Sequence, residues 1–88
     1  MTLTELAILD KVAPEADELP RWFSPREFGG SDGSSERRTA ERMAIDPRKG
    51  WLERRNAGQG AARPKWQYRI TAKGVRAREA KRLSLRLA

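Results

Sequence analysis

The chain has 88 residues and no cysteine, and this absence narrows the structures it can adopt more than any other feature. It cannot be a disulfide-stabilised scaffold or a cysteine-bound zinc domain, so an apolar core must hold it together. At this length the core is thin, and a second copy or a partner would add to its stability. We expect a single domain over residues 1–88.

Histidine is also missing, which excludes histidine-bound metals, the Ser-His-Asp triad and the side chain that most often transfers protons near neutral pH. The sequence has no phosphate-binding glycine loop followed by Lys and then Ser or Thr. We therefore predict that the chain is not an enzyme and that it uses no cofactor and no metal.

The charge points to a polyanion. The chain carries 19 Lys and Arg against 12 Asp and Glu, a net charge of +7. Residues 1–20 hold five acids and one base, whereas residues 21–88 hold eighteen bases and seven acids. A basic surface of this strength indicates a partner such as nucleic acid. The alternative is a compositional bias, because fourteen of the bases are Arg.

No apolar run approaches the roughly 20 residues of a membrane span, and the first residues lack the basic start of a signal peptide. We expect a cytoplasmic protein that does not enter membranes.

The N-terminal half reads as three helices with a short extended segment. Thr2 and Glu5 fit a capping box at the start of the first helix. Its apolar residues follow at helical spacing, namely Leu3, Leu6, Leu9 and Val12 with Ile8 beside them. Pro14 ends this helix. Residues 21–23 suggest a minor strand. Ser24, Pro25 and Glu27 start a short helix that Gly29-Gly30 ends, with Phe28 as its core anchor. After a turn at 31–33, Ser34 or Ser35 caps a helix to Ile45 whose apolar face is Ala40, Met43 and Ala44.

The C-terminal half reads as a hairpin and a helix. Residues 51–55 and 65–70 are the strands, the second with Trp66, Tyr68 and Ile70 on one face, and residues 57–64 form a Gly- and Pro-containing loop. Thr71 caps a last helix to Leu87 with an apolar stripe of Val75, Ala80, Leu83 and Leu87. The order of these helices and strands predicts an α+β fold. It is that of a winged helix-turn-helix, which has three helices, a two-stranded β-hairpin wing and a C-terminal helix.

Two basic segments are candidate DNA contacts. Helix-turn-helix proteins place their second helix in the major groove, where Arg pairs with guanine. The hairpin loop has no acid between Glu53 and Lys65, so it suits phosphates or the minor groove. The alternatives are a solvated helix with internal ion pairs and an ordinary exposed hairpin. The predicted DNA-binding residues are Ser34, Ser35, Arg37, Arg38, Glu41, Arg42, Arg54, Arg55, Asn56, Gln59, Arg63 and Lys65.

The last helix and the tryptophans allow more than one interpretation. Leu83, Leu85 and Leu87 exceed one narrow stripe, which favours a homodimer through this helix. Trp51 and Trp66 fit core packing better than base stacking, whereas Trp22 is left open between the two.

The segments 50–55 and 68–74 resemble the wing of MarR-like and PadR-like winged-helix regulators. The likeness is carried by Gly50-Trp51-Leu52-Glu53-Arg54-Arg55 and by Tyr68-Arg69-Ile70-Thr71-Ala72-Lys73-Gly74, and extends over residues 34–80. It implies a homodimeric DNA-binding transcriptional regulator with Arg37, Arg38 and Arg42 on the recognition helix, and Arg55, Gln59 and Arg63 on the wing. Asp46-Pro47-Arg48-Lys49 departs from the usual helix end before the wing, and the long helices with which those families often dimerise are missing.

We expect a small regulator, a repressor, that binds double-stranded DNA in a sequence-specific way. Two other interpretations stay open. One is a winged-helix docking module of a phage or mobile-element complex, because fold does not determine function. The other is a non-specific or single-strand nucleic-acid binder.

Overall fold

The computed structural model describes residues 1–15, 18–28, 34–60 and 62–87, leaving out the side chains of Phe28 and Ser34. The elements run in the order α1 (Leu3–Val12), a 3₁₀ helix (Pro25–Phe28), α2 (Ser34–Ile45), β1 (Leu52–Asn56), β2 (Trp66–Ile70) and α3 (Ala72–Leu87). The predicted α+β class and two-stranded antiparallel sheet are confirmed, and of the four predicted helices three are α-helices while the short second one is a 3₁₀ helix. The predicted turn at 31–33, the helix end at Gly29-Gly30 and the anchoring side chain of Phe28 lie outside the described residues.

Local signals determine where α1 and the 3₁₀ helix begin. The Thr2 hydroxyl accepts from the Glu5 amide at 3.1 Å, and the Glu5 carboxylate accepts from the Thr2 amide at 2.8 Å, which completes the predicted capping box. At the 3₁₀ helix, the Glu27 carboxylate accepts from the Ser24 amide at 2.7 Å. Each interaction satisfies an amide that the first helical turn leaves unpaired.

The hairpin packs one face on the helices. Leu52 pairs with Ile70, Arg54 with Tyr68 and Asn56 with Trp66, so these residues share the inner face. Phe23 forms an isolated antiparallel bridge with Tyr68, so a single bridging residue beside β2 takes the place of the minor strand predicted at 21–23. The buried cluster consists of Ile8, Leu9, Val12, Ala40, Met43, Leu52, Tyr68 and Ile70, with Trp51, Trp66 and Val75 partly buried against it.

The first strand begins one residue later than predicted, at Leu52. The amide of Trp51 donates to the Met43 carbonyl at the end of α2, and its carbonyl accepts from the Thr71 amide before α3. The Trp51 amide therefore donates to α2 instead of to Thr71, the residue opposite it, and the regular strand begins at Leu52.

Two predictions about helix faces are wrong. Leu3 is 69% exposed and contributes nothing to the core of α1. In α3 only Val75 packs on the core, whereas Ala80, Leu83 and Leu87 are exposed. At 100° per residue, Val75 lies on the side that faces α1 together with Arg78 and Arg82, and the other three lie about 100° away. Arg78 and Arg82 hold α3 against α1 by contacting Asp10 at 2.7 Å and 3.0 Å.

Candidate nucleic-acid interface

The exposed face of α2 is basic. Arg37, Arg38 and Arg42 are exposed, while Ala40 and Met43 on the opposite side are fully buried. None of these three arginines forms an ion pair with another described residue. The alternative in which internal i,i+4 ion pairs neutralise this helix therefore has no support in the described part of the chain. Ser35 is exposed on the same helix, and the side chain of Ser34 lies outside the described residues.

Two of the predicted contact residues, Arg54 and Glu41, pair with each other. Arg54 lies on the inner face of β1, where its guanidinium is 3.5 Å from the Glu41 carboxylate and 4.1 Å from the centre of the Trp66 ring. Burial raises the pKa of the neighbouring Tyr68 hydroxyl, even though Arg54 acts to lower it. In this arrangement Arg54 and Glu41 support the sheet behind α2.

The outer face of the hairpin carries stacked cations. The Arg55 guanidinium bonds to Gln67 at 2.8 Å and lies 4.4 Å from the centre of the Trp22 ring, and Arg69 lies at the same distance from that ring. Arg69 also pairs with Glu53. Trp22 thus packs against two arginines on the face opposite the core. The sequence leaves Trp22 open between core packing and base stacking, and in the structure the ring lies outside the core.

Asn56 shapes the base of the hairpin loop. Its side-chain oxygen accepts from the Gly58 amide at 2.9 Å and from the Lys65 amide at 3.1 Å. A side chain at Gly58 would lie 2.9 Å from the Lys65 stem, so glycine permits this close approach. Asn56 therefore holds Lys65 in position rather than projecting freely, while Gln59 and Arg63 are exposed beyond it.

A cleft of about 590 Å³ lies between the 3₁₀ helix, α2 and the hairpin loop. Four cationic side chains line it, from three separate segments, and none of its described lining residues is acidic. Pro25, Pro64 and Trp66 contribute apolar wall, and Tyr68 lies among the lining residues. The cations are Arg26, Arg37, Arg63 and Lys65.

Arg26 is the cleft residue that the sequence analysis missed. Its local sequence places it in the first turn of a short helix, and nothing nearby in the chain indicates what lies opposite. The bridge between Phe23 and Tyr68 brings the 3₁₀ helix beside the hairpin and so places Arg26 near Lys65 in one cleft. A pairing of such separation along the chain leaves no local pattern.

Acids and bases are unevenly matched over the molecule. The ion pairs lie between scaffold elements, namely Arg21–Glu27, Lys49–Glu5, Arg54–Glu41, Arg69–Glu53 and Asp10 with Arg78 and Arg82. In the described residues the bases without an ion pair include Arg26, Arg37, Arg38, Arg42, Arg63 and Lys65, all on α2 or around the cleft. Others, such as Arg76 and Lys81, lie on α3.

No described helix is both long enough and apolar enough to cross a bilayer. The described residues also contain no group of three or more acidic side chains placed to hold a metal ion. No protein-family model, curated protein or solved structure matches the chain.

Proposed function

We propose that this chain is a winged helix-turn-helix protein that binds double-stranded DNA and acts as a small transcriptional regulator, a repressor. The observation that carries the proposal is the set of exposed arginines on α2, namely Arg37, Arg38 and Arg42, none of which forms an ion pair with a described residue. Unpaired cations on a helix that follows a short helix and precedes a hairpin suit the major groove and its phosphates.

The segment that resembles MarR-like and PadR-like regulators includes Thr71 and Gly74, at the junction of α2, the hairpin and α3. The contacts of these two residues give a physical reason for their presence there. The Thr71 hydroxyl donates to the Gly50 carbonyl at 2.6 Å and accepts from the Gly74 amide at 3.0 Å. Gly74 lies against the Trp51 carbonyl, with no room for a side chain. Thr and Gly at this spacing fit a helix that begins immediately after the hairpin, which supports the proposed fold.

Within the proposal the two basic segments differ in role. Arg38 and Arg42 are one helical turn apart on the exposed face of α2 and would read base edges. Arg63 and Lys65 belong to the loop and would contact phosphates, which carry affinity but no sequence information.

Fluorescence anisotropy on an operator duplex and on unrelated duplexes separates these roles. Arg38→Ala should cost about 1–3 kcal/mol on the operator and relax base preference at one position. Arg63→Ala should weaken binding to every duplex alike. It should also make the slope of log affinity against log salt concentration less steep by about one unit. Arg76→Ala is the matched control, since it removes an unpaired arginine from α3. Equal losses for all three variants on every sequence would refute a specific interface.

A docking module is the second candidate function, favoured by Leu19, which is 90% exposed, and by the exposed leucines of α3. Leu19 lies outside both the basic face and α3, so Leu19→Ser would leave DNA affinity unchanged while abolishing binding to a protein partner.

A further inference from the structure

We propose that the cleft between the 3₁₀ helix, α2 and the hairpin loop binds a nucleotide whose base is unpaired, with its phosphate on the cations and its base against the apolar wall. The proposal rests on the proposed nucleic-acid binding and deepens it. It adds a site for a strand end or a free nucleotide, beside the helix that would enter the duplex.

The first argument is that like charges converge without a counter-ion. Arg26, Arg37, Arg63 and Lys65 come from the 3₁₀ helix, α2 and the loop, and none forms an ion pair with a described residue. Mutual repulsion opposes this arrangement in the empty protein. A bound phosphate would remove the repulsion and form charge-assisted hydrogen bonds with the guanidinium groups.

The second argument is that two carboxylates close to cleft cations in the chain, those of Glu27 and Glu41, face other partners. Glu27 follows Arg26 directly, yet its carboxylate accepts from the Ser24 amide at 2.7 Å and from Arg21 at 3.2 Å. The bond from the Ser24 amide, joined by Arg21, lowers the pKa of Glu27 and keeps it ionised. Glu41, one turn beyond Arg37, faces Arg54. Neither carboxylate neutralises the cleft.

The third argument is size and wall chemistry. About 590 Å³ falls in the range of small-molecule sites and exceeds what one phosphate fills. Trp66, Pro25 and Pro64 offer apolar wall beside the cations, and bases stack on such aromatic surfaces once they leave a duplex. In an intact duplex the base faces are covered by their neighbours, so this wall suits an unpaired nucleotide.

Amide and indole NMR spectra of the 88-residue chain, titrated with deoxyadenosine monophosphate, provide the first test. Shifts should centre on Arg26, Lys65 and the Trp66 indole. Adenosine and inorganic phosphate should each bind at least several-fold more weakly than the nucleotide, because adenosine lacks the phosphate and inorganic phosphate lacks the base. Inorganic phosphate binding as tightly as the nucleotide, or shifts centred on α3, would overturn the proposal.

Arg26→Ala should weaken nucleotide binding about ten-fold, the loss expected for one charge-assisted contact. Arg76→Ala removes the same charge from α3 and should change it less than two-fold. An equal effect of the two variants would show that only net charge matters and would contradict the site.

Duplexes of one sequence, with and without a short single-stranded overhang, distinguish a strand end from a free nucleotide. A preference for the overhang that Arg26→Ala removes identifies a strand end as the ligand. Nucleotide binding with no such preference identifies a free nucleotide. Duplex binding without nucleotide binding would reject this site and leave the proposed function intact. Nucleotide binding without duplex binding would support this site and reject the proposed function.

Discussion

At the scale of single residues, Gly74 shows how a tertiary contact can reverse a local preference. A methyl group at this position would lie 2.1 Å from the Trp51 carbonyl oxygen and 2.9 Å from Ile70. Glycine inside a helix normally lowers stability by about 1 kcal/mol relative to alanine. Here the absence of a side chain is what allows α3 to start against the hairpin.

Gly74→Ala should therefore destabilise the protein by about 1–3 kcal/mol, because α3 must shift away from the Trp51 carbonyl. Urea denaturation followed by circular dichroism measures the change. Ser84→Ala, at an exposed position of the same helix, is the control and should be neutral or slightly stabilising. An increase in stability for Gly74→Ala would show that the close approach does not exist.

Glu5 and Lys49 form the most buried ion pair among the described residues. The Glu5 side chain is 5% exposed, and its carboxylate lies 2.5 Å from the Lys49 amine. Burial alone would raise the pKa of Glu5, but hydrogen bonds from Lys49 and Thr2 outweigh it and lower the pKa. A lowered carboxyl pKa adds stability above the unfolded value, about 4.3, and that stability is lost as pH falls through the folded value.

Lys49→Ala leaves this carboxylate buried without its cation and should cost about 1–3 kcal/mol at pH 7. The cost should shrink below about pH 4, where Glu5 takes up a proton. Stability curves at several pH values test this against Lys81→Ala, which removes a lysine without an ion pair. A cost that does not depend on pH would mean that Lys49 acts through packing alone.

At the scale of elements, the sequence predicts what local chemistry determines. The capping box at Thr2, the turn signals around Asp46 and the alternation of Trp66, Tyr68 and Ile70 each act within a few residues, and the corresponding elements are present. The side that a helix buries depends on its neighbours in space, so the predicted buried stripe of α3 is wrong. Val75 and the leucines of α3 are equally apolar in the sequence, and which side faces α1 follows from contacts with distant residues, such as Arg78 with Asp10 and Gly74 with the Trp51 carbonyl.

The exposed stripe of α3 predicts self-association. Leu83 and Leu87 are 57% and 80% exposed, and Ala80 lies on the same side. We predict a homodimer through this stripe, which Leu83→Glu with Leu87→Glu converts to monomer in sedimentation equilibrium. Because sulfate strengthens the burial of apolar side chains, added ammonium sulfate should strengthen the dimer while it weakens DNA binding. A wild-type chain that stays monomeric at high salt contradicts the prediction.

At the scale of the whole molecule, the sequence predicts the excess of positive charge but not its distribution. Composition cannot show that Asp10, Glu41 and Glu53 each face a scaffold arginine, because each pair joins two different elements. Nor can it show that Arg54 points to the inner face or that Arg26 joins the cleft. The fold gathers bases without ion pairs into a basic face formed by α2, the loop and the 3₁₀ helix, and leaves others on α3.

Selection from a random duplex library at about 150 mM salt, where non-specific phosphate binding is weakened, tests most directly whether this face reads DNA. We predict an enriched motif, and a palindrome if two copies bind through α3 as proposed. Arg38→Ala should lose the preference at one position of that motif, whereas Arg76→Ala should keep it. No enrichment, together with affinity that vanishes as salt rises, would contradict sequence-specific recognition and reduce the basic face to a general attraction for polyanions.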